Sequence, residues 1–282
     1  SHRKLISEFM MMLRCIGVLL LSMLLADAGY AQALKQKTVT FEAKGKRLSA
    51  TLRIPHVTNP LPAIIIVHGT AGIDERGEFY RIPLEAAGFA TLEVDFKSGI
   101  FTSPKDRPRN PAFIPYLFAA VAALHEQAEI DHSRIGVLGF SLGGQLALNA
   151  AMRDLSAPYT SKGLKIAAAV SLYPGCQLLV KRANAFNGMP ILILVGSNDH
   201  YTTPDDCYSA EHLANARYPG SVDVVVYKGA FHAFDRPGRR QTIQDPNARQ
   251  GKAVVAYDKA AAEDARRRVV EFFKARLALA GG

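Results

Sequence analysis

The pentapeptide Gly139-Phe140-Ser141-Leu142-Gly143 follows a short apolar run at 134–138 and precedes a helix-like stretch at 144–152. A serine between glycines at such a junction calls for a strand, a sharp turn and a helix. The glycines let the backbone reverse tightly and let the helix pass close to the strand it has left. A hydroxyl held at that turn is exposed and can attack. The same pattern demands a sheet whose strand ends are followed by helices.

The rest of the chain fits that demand. Alternating stretches at 37–42 and 47–54, joined by Ala43-Lys44-Gly45-Lys46, predict an antiparallel hairpin. Apolar runs follow at 63–67, 89–94, 134–138, 166–172, 191–195 and 222–227, with helical stretches near 78–87, 114–129 and 257–277. Continuous apolar runs separated by helices are what a parallel sheet buried on both faces requires. The expected architecture is α/β: a doubly wound, mostly parallel sheet with an N-terminal antiparallel hairpin, formed as one domain over 34–282. Two segments, 96–111 and 236–251, are polar, proline- or arginine-rich and without periodicity. Both follow strand ends, which makes them candidate lids or substrate walls, or else plain surface insertions.

Residues 1–33 read as an added leader followed by a secretory signal: Arg14, an apolar core at 15–25, then small residues through Ala26-Asp27-Ala28 and Ala31-Gln32-Ala33. The apolar core is shorter than the roughly 20 residues a span needs, so cleavage leaves no stable membrane span. The expected location is periplasmic or secreted. Removal of Cys15 with the signal leaves Cys176 and Cys207, candidates for one disulfide in an oxidising compartment, with two free buried thiols as the alternative. The formal charge of +9 is spread along the chain and no basic run alternates with aromatic residues, which argues against a nucleic-acid partner.

A serine hydroxyl needs a base to take its proton and an acid to orient that base. Of the eight histidines, His232 in Gly229-Ala230-Phe231-His232-Ala233-Phe234 stands beyond the last strand-like run and before the final helix. Asp199 closes Val195-Gly196-Ser197-Asn198-Asp199 directly after a strand-like run, while Asp205 and Asp206 follow Pro204 and fit a helix's first turn. Asp95 also ends a run, but on the wrong side of Ser141 for the order serine, acid, histidine. For an oxyanion, the Leu142 amide and that of Thr70, in His68-Gly69-Thr70-Ala71-Gly72, are the candidate donors. His68 lacks neighbours at ligand spacing, so it reads as part of that loop or as structural, and no metal site is expected.

Val67-His68-Gly69, Gly139-Phe140-Ser141-Leu142-Gly143-Gly144, Tyr173-Pro174-Gly175-Cys176, Gly196-Ser197-Asn198-Asp199 and Phe231-His232-Ala233-Phe234-Asp235 together carry a resemblance. The chain resembles the dienelactone hydrolase family of α/β-hydrolases, in an exported branch. The resemblance implies the α/β-hydrolase fold and hydrolysis of a small-molecule ester or lactone by Ser141, His232 and Asp199, with no metal or organic cofactor. Dienelactone hydrolases proper use a cysteine nucleophile and a glutamate in the first oxyanion loop; the matching positions here are Ser141 and Gly69. Arg236 matches a family arginine that binds substrate carboxylate, whereas its partner after Asp95 is absent, leaving Lys97, Arg107 or Arg109 as replacements and a plain surface role as the alternative for Arg236. Phe140 and Tyr173 complete the candidate substrate contacts. An acyltransferase with the same triad and a non-catalytic binding protein are the competing readings.

Overall fold

The computed structural model describes residues 34–56, 60–101 and 110–277. The leader and signal expected at 1–33 lie outside the described residues, as do Arg107 and Arg109. Strands β1 (Leu34–Ala43) and β2 (Lys46–Pro55) form the expected hairpin. Its two turn residues, Lys44 and Gly45, have φ of 51° and 69°, the left-handed pair that matches the twist of a tight hairpin. The remaining runs become β3 (Leu61–Val67), β4 (Ala90–Val94), β5 (Ile130–Phe140), β6 (Ala168–Leu172), β7 (Ile191–Gly196) and β8 (Val222–Tyr227).

These make one eight-stranded sheet in the order β1-β2-β4-β3-β5-β6-β7-β8. β2 pairs antiparallel to β4, and every pairing from β4 through to β8 is parallel. Strand side chains alternate between two cores. Ala63, Ile65 and Val67 face one, Ile64 and Ile66 the other, and all five are 0–1% exposed.

Helices α1 (Glu75–Ala86) and α8 (Lys259–Leu277) cover the second face with Tyr80, Leu84, Val269 and Phe273. The first is covered by α3 (Ile114–His125), α4 (Leu142–Ala150) and α7 (Pro204–Arg217) through Leu117, Val121, Leu146 and Ala210. Short helices α2 (Phe96–Ile100), α5 (Arg153–Thr160) and α6 (Gln177–Lys181) fill connections. At the β8 edge, Asn215 of α7 binds both the N–H and the carbonyl of Val222, and Glu211 accepts the Val224 N–H. Side chains thus occupy groups that another strand could otherwise take.

Two departures from the sequence expectation have physical reasons. Within the polar 236–251 segment, β9 (Gln241–Gln244) begins an antiparallel pair with β10 (Lys252–Val255). Every β9 residue is exposed, so no apolar alternation marks it. In the other segment, Phe96 is buried and opens α2, because Asp95 caps that turn by accepting the Ser98 N–H. Cys176 and Cys207 form a disulfide with Cα atoms 5.0 Å apart, tying the loop after β6 to α7. Among the described residues no helix is long and apolar enough to cross a membrane.

Candidate active site

Ser141 sits between β5 and α4 with φ of 51°, a left-handed conformation that a non-glycine residue adopts only when its surroundings force it. The forcing is visible in the glycines. A Cβ on Gly139 would lie 2.1 Å from the Gly143 carbonyl oxygen, one on Gly143 would lie 2.2 Å from that of Val67, and one on Gly144 would lie 2.8 Å from that of Leu172. Backbone occupies each space, so the turn closes only without side chains there. The Ser141 N–H is held by the Leu172 carbonyl at 3.0 Å, which fixes the turn to the end of β6.

The two other expected residues converge on that serine from loops after β7 and β8. His232 Nε2 lies 3.0 Å from Ser141 Oγ, and His232 Nδ1 lies 2.8 Å from Asp199 Oδ2. Asp199 is fully buried, and its Oδ1 accepts the backbone N–H groups of Tyr201 at 2.7 Å and Thr202 at 3.3 Å. Fixed backbone therefore occupies Oδ1, which leaves Oδ2 for the imidazole. A Cβ on Gly196 would lie 2.3 Å from the Ala230 carbonyl oxygen, so the acid and histidine loops touch at the level of their backbones.

The first loop after β3 lies against the serine turn. A Cβ on Gly69, the residue before Thr70, would meet Phe140 O at 3.5 Å and Ser141 Cβ at 3.7 Å, so the loop backbone packs against the serine turn. Leu142 opens α4, so its amide has no carbonyl one turn earlier in the helix and lies at the positive end of the helix dipole. His68 anchors this loop. Its Nε2 accepts the N–H of Phe96 at 3.0 Å and of Lys97 at 3.2 Å, which requires the proton on Nδ1, donated to the Gly69 carbonyl at 2.6 Å. Its Nε2 is 3.8 Å from Asp95 Oδ1, but a ring that accepts two amides is neutral and makes no ion pair.

Beneath the site lies a polar cluster that the sequence did not announce. Arg76 donates through Nε to Asp74 at 2.8 Å and through Nη1 to the Tyr173 hydroxyl at 2.8 Å. Tyr173 and Tyr80 in turn donate to Asp235 at 2.6 and 2.9 Å. Burial pushes the Asp235 carboxyl above its usual range, opposed by the Arg76 charge and the two tyrosine hydroxyls. Burial also raises Asp74, but the Arg76 bonds and charge outweigh it and hold the carboxyl below its ordinary value. Tyr173 has φ of 41° and its ring stands edge-on to His232 at 4.8 Å, so this cluster supports the histidine from below.

The expected substrate contacts fall elsewhere than at the mouth. Phe140 and Tyr173 are 2% and 1% exposed; Phe140 lies under the Arg76 guanidinium, and the Tyr173 hydroxyl is taken as just described. Arg236 is exposed with its Nε 3.7 Å from Asp74 and 3.9 Å from Glu75, so its charge faces two carboxylates. Lys97 Nζ donates to the Ala71 carbonyl at 2.8 Å, across the first loop.

Comparison with known proteins identifies the family. The model of the dienelactone hydrolase family matches residues 48–277. The chain belongs to the dienelactone hydrolase family. As a member it is a hydrolase of the esterase and lactonase type. Among characterised sequences it is similar to a Bradyrhizobium protein described as a probable 2-oxo-3-(5-oxofuran-2-ylidene)propanoate lactonase, 27% identical over 221 residues that cover 70% of this chain and 82% of that one. Its fold is similar to that of a dienelactone hydrolase-like promiscuous phosphotriesterase from metagenomic libraries, with a TM-score of 0.67 and 19% identity over 86% of this chain and 99% of that chain. A Pyrococcus furiosus esterase shares the fold at a TM-score of 0.61 and 18% identity, covering 86% of this chain and 94% of that chain. This member of the family carries Ser141 at the elbow and Gly69 in the first loop.

Proposed function

We propose that the chain is a serine hydrolase that cleaves a small carboxylic ester or lactone through an acyl-enzyme on Ser141. One observation carries the reading: the Ser141 hydroxyl is 3.0 Å from His232 Nε2, and His232 Nδ1 is 2.8 Å from the Asp199 carboxylate. With Nδ1–H held by Asp199, Nε2 presents its lone pair to the serine and takes its proton as Oγ attacks the carbonyl carbon. The charge that forms on the carbonyl oxygen is met by the Leu142 and Thr70 amides. Collapse of the tetrahedral adduct breaks the bond to the alcohol oxygen, which leaves with the proton from His232. A water then gives a proton to His232 and attacks the acyl carbon; collapse of this second adduct breaks the acyl bond to Oγ, which takes the proton back from His232, and releases the acid.

The substrate class follows family membership and the lactone named for the Bradyrhizobium relative. The pairing of Arg236 with Asp74 and Glu75 gives no reason to require an anionic group on that substrate. The Cys176–Cys207 bond supports an exported enzyme, because such bonds persist in oxidising compartments. Ser141→Ala is expected to lower turnover of p-nitrophenyl acetate by about a thousandfold or more while the protein stays folded. Undiminished turnover would refute Ser141 as the nucleophile.

A further inference from the structure

The β9–β10 hairpin is the part of the chain for which the chemistry above finds no use, yet its contacts converge on the residues that do the chemistry. The Tyr201 hydroxyl donates to Asp245 Oδ2 at 2.9 Å. Arg249 donates through Nη2 to the Asp199 carbonyl at 2.8 Å and through its backbone N–H to the His200 carbonyl at 3.0 Å. The Val254 N–H donates to His200 Nδ1 at 2.9 Å, and Val255 bridges to His232. The tip of the hairpin is itself braced: Asp245 Oδ1 accepts the backbone and side-chain N–H groups of Asn247 at 2.9 and 2.8 Å.

Tyr201 joins acid, base and hairpin in one residue. Its backbone N–H is on Asp199 Oδ1, its ring lies 4.5 Å from the His232 ring at an inclination of 55°, and its hydroxyl is on Asp245. Tyr173 contacts the same imidazole with its hydroxyl on Asp235. Both rings that touch His232 are therefore tied at their far ends to carboxylates. A small rotation of the imidazole would lengthen its bond to Ser141 or to Asp199, and reactions of this kind lose rate steeply with such misplacement.

We propose that the β9–β10 hairpin is a brace for the acid and histidine, with Tyr201 and Arg249 as positioning residues. Tyr201 holds the His232 ring, and Arg249 holds the backbone of the acid loop. The proposal rests on the serine-hydrolase reading. It also gives the arginine-rich segment a use other than binding anions, as does Arg240, whose guanidinium lies 4.6 Å from the Phe231 ring centre.

The test is a double-mutant cycle of Tyr201→Phe and Asp245→Ala in the full chain, with Arg249→Ala beside it and p-nitrophenyl acetate as substrate. Tyr201→Phe keeps the ring and the amide and removes only the bond to the hairpin. Each single variant is expected to lower kcat by about 2- to 10-fold, the worth of one hydrogen bond, with KM unchanged. The double variant should be no slower than the slower single one, because both remove one interaction. In proton NMR the low-field resonance of His232 Nδ1–H should broaden in every variant, which a loss of global stability alone does not produce. Wild-type kcat in the single variants, additive losses in the double variant, or an unchanged resonance would each overturn the brace. If Tyr201→Phe does not fold, Asp245→Ala tests the same bond from the hairpin side. His232→Ala separates the two proposals: full activity there refutes the serine-hydrolase reading, while an inactive His232→Ala with wild-type hairpin variants refutes the brace alone.

Discussion

Replacing His68 by alanine would remove the ring that ties the first loop to α2. The Phe96 and Lys97 amides would lose their acceptor, while the Gly69 carbonyl, which loses the ring N–H, still accepts the Gly72 N–H. Counting the two amides, at about 1–3 kcal/mol for each one left unpaired, the loss is about 2–6 kcal/mol. For a domain of this size that lowers Tm by about 4–24 °C. Burial holds the His68 pKa below its ordinary value, with the Gly69 carbonyl and the Asp95 charge offsetting only part of the effect. The unfolded chain therefore takes up this proton near the ordinary value of about 6.5, and the folded protein only at lower pH. Stability from His68 is complete above that value and is lost as pH falls from it through the folded pKa. Scanning calorimetry of both proteins at about pH 7.5 and about pH 5.5, either side of the ordinary histidine pKa, tests both parts. The variant should melt lower at the higher pH and lose less on acidification, and its turnover should fall because Thr70 rides on the loosened loop. A melting temperature equal to wild type, or an identical acid dependence, would refute the reasoning.

Two further perturbations test the framework around the site. Asp235→Ala leaves the buried Tyr80 and Tyr173 hydroxyls without their acceptor, a cost of about 2–6 kcal/mol in urea unfolding, while Arg76 keeps Asp74 as its partner. Asp235→Asn still accepts from one tyrosine and should cost less than half of that; equal stability of the alanine variant and wild type would contradict the role assigned to the cluster. Replacing both Cys176 and Cys207 by serine opens a loop spanning a sequence separation of 31 and should cost about 3–4 kcal/mol. A reductant should then lower the urea midpoint of the wild type but not of the variant; if it shifts neither, the bond is not formed in solution.

The sheet and the positions of Ser141, Asp199 and His232 were legible because each depends on a local pattern: an apolar run, then a turn, then a chemically capable residue. Parallel strands send their carboxyl ends to one edge, so residues far apart in sequence meet without any further signal. The supporting cluster had no such pattern. Arg76 and Tyr173 are 97 positions apart, Tyr80 and Asp235 are 155 apart, and a charged or aromatic residue at any of those places reads as surface or core. Asp235 was visible only as the last residue of Phe231-His232-Ala233-Phe234-Asp235. The hairpin escaped notice because the exposed β9 carries no apolar alternation, and the hairpin's hydrogen bonds reach partners 44 to 54 positions away. Phe140 and Tyr173, the candidate substrate contacts, are buried with long-range partners that no local pattern announces: the Phe140 ring lies under the Arg76 guanidinium, and the Tyr173 hydroxyl bonds Arg76 and Asp235.

Peptide mass spectrometry of the enzyme quenched during turnover of p-nitrophenyl acetate tests the central claim most directly. The account predicts that the peptide containing Ser141 gains the mass of one acetyl group, and that His232→Ala forms this adduct far more slowly. Steady turnover with no acyl group on Ser141, or with the acyl group on another residue, would contradict it.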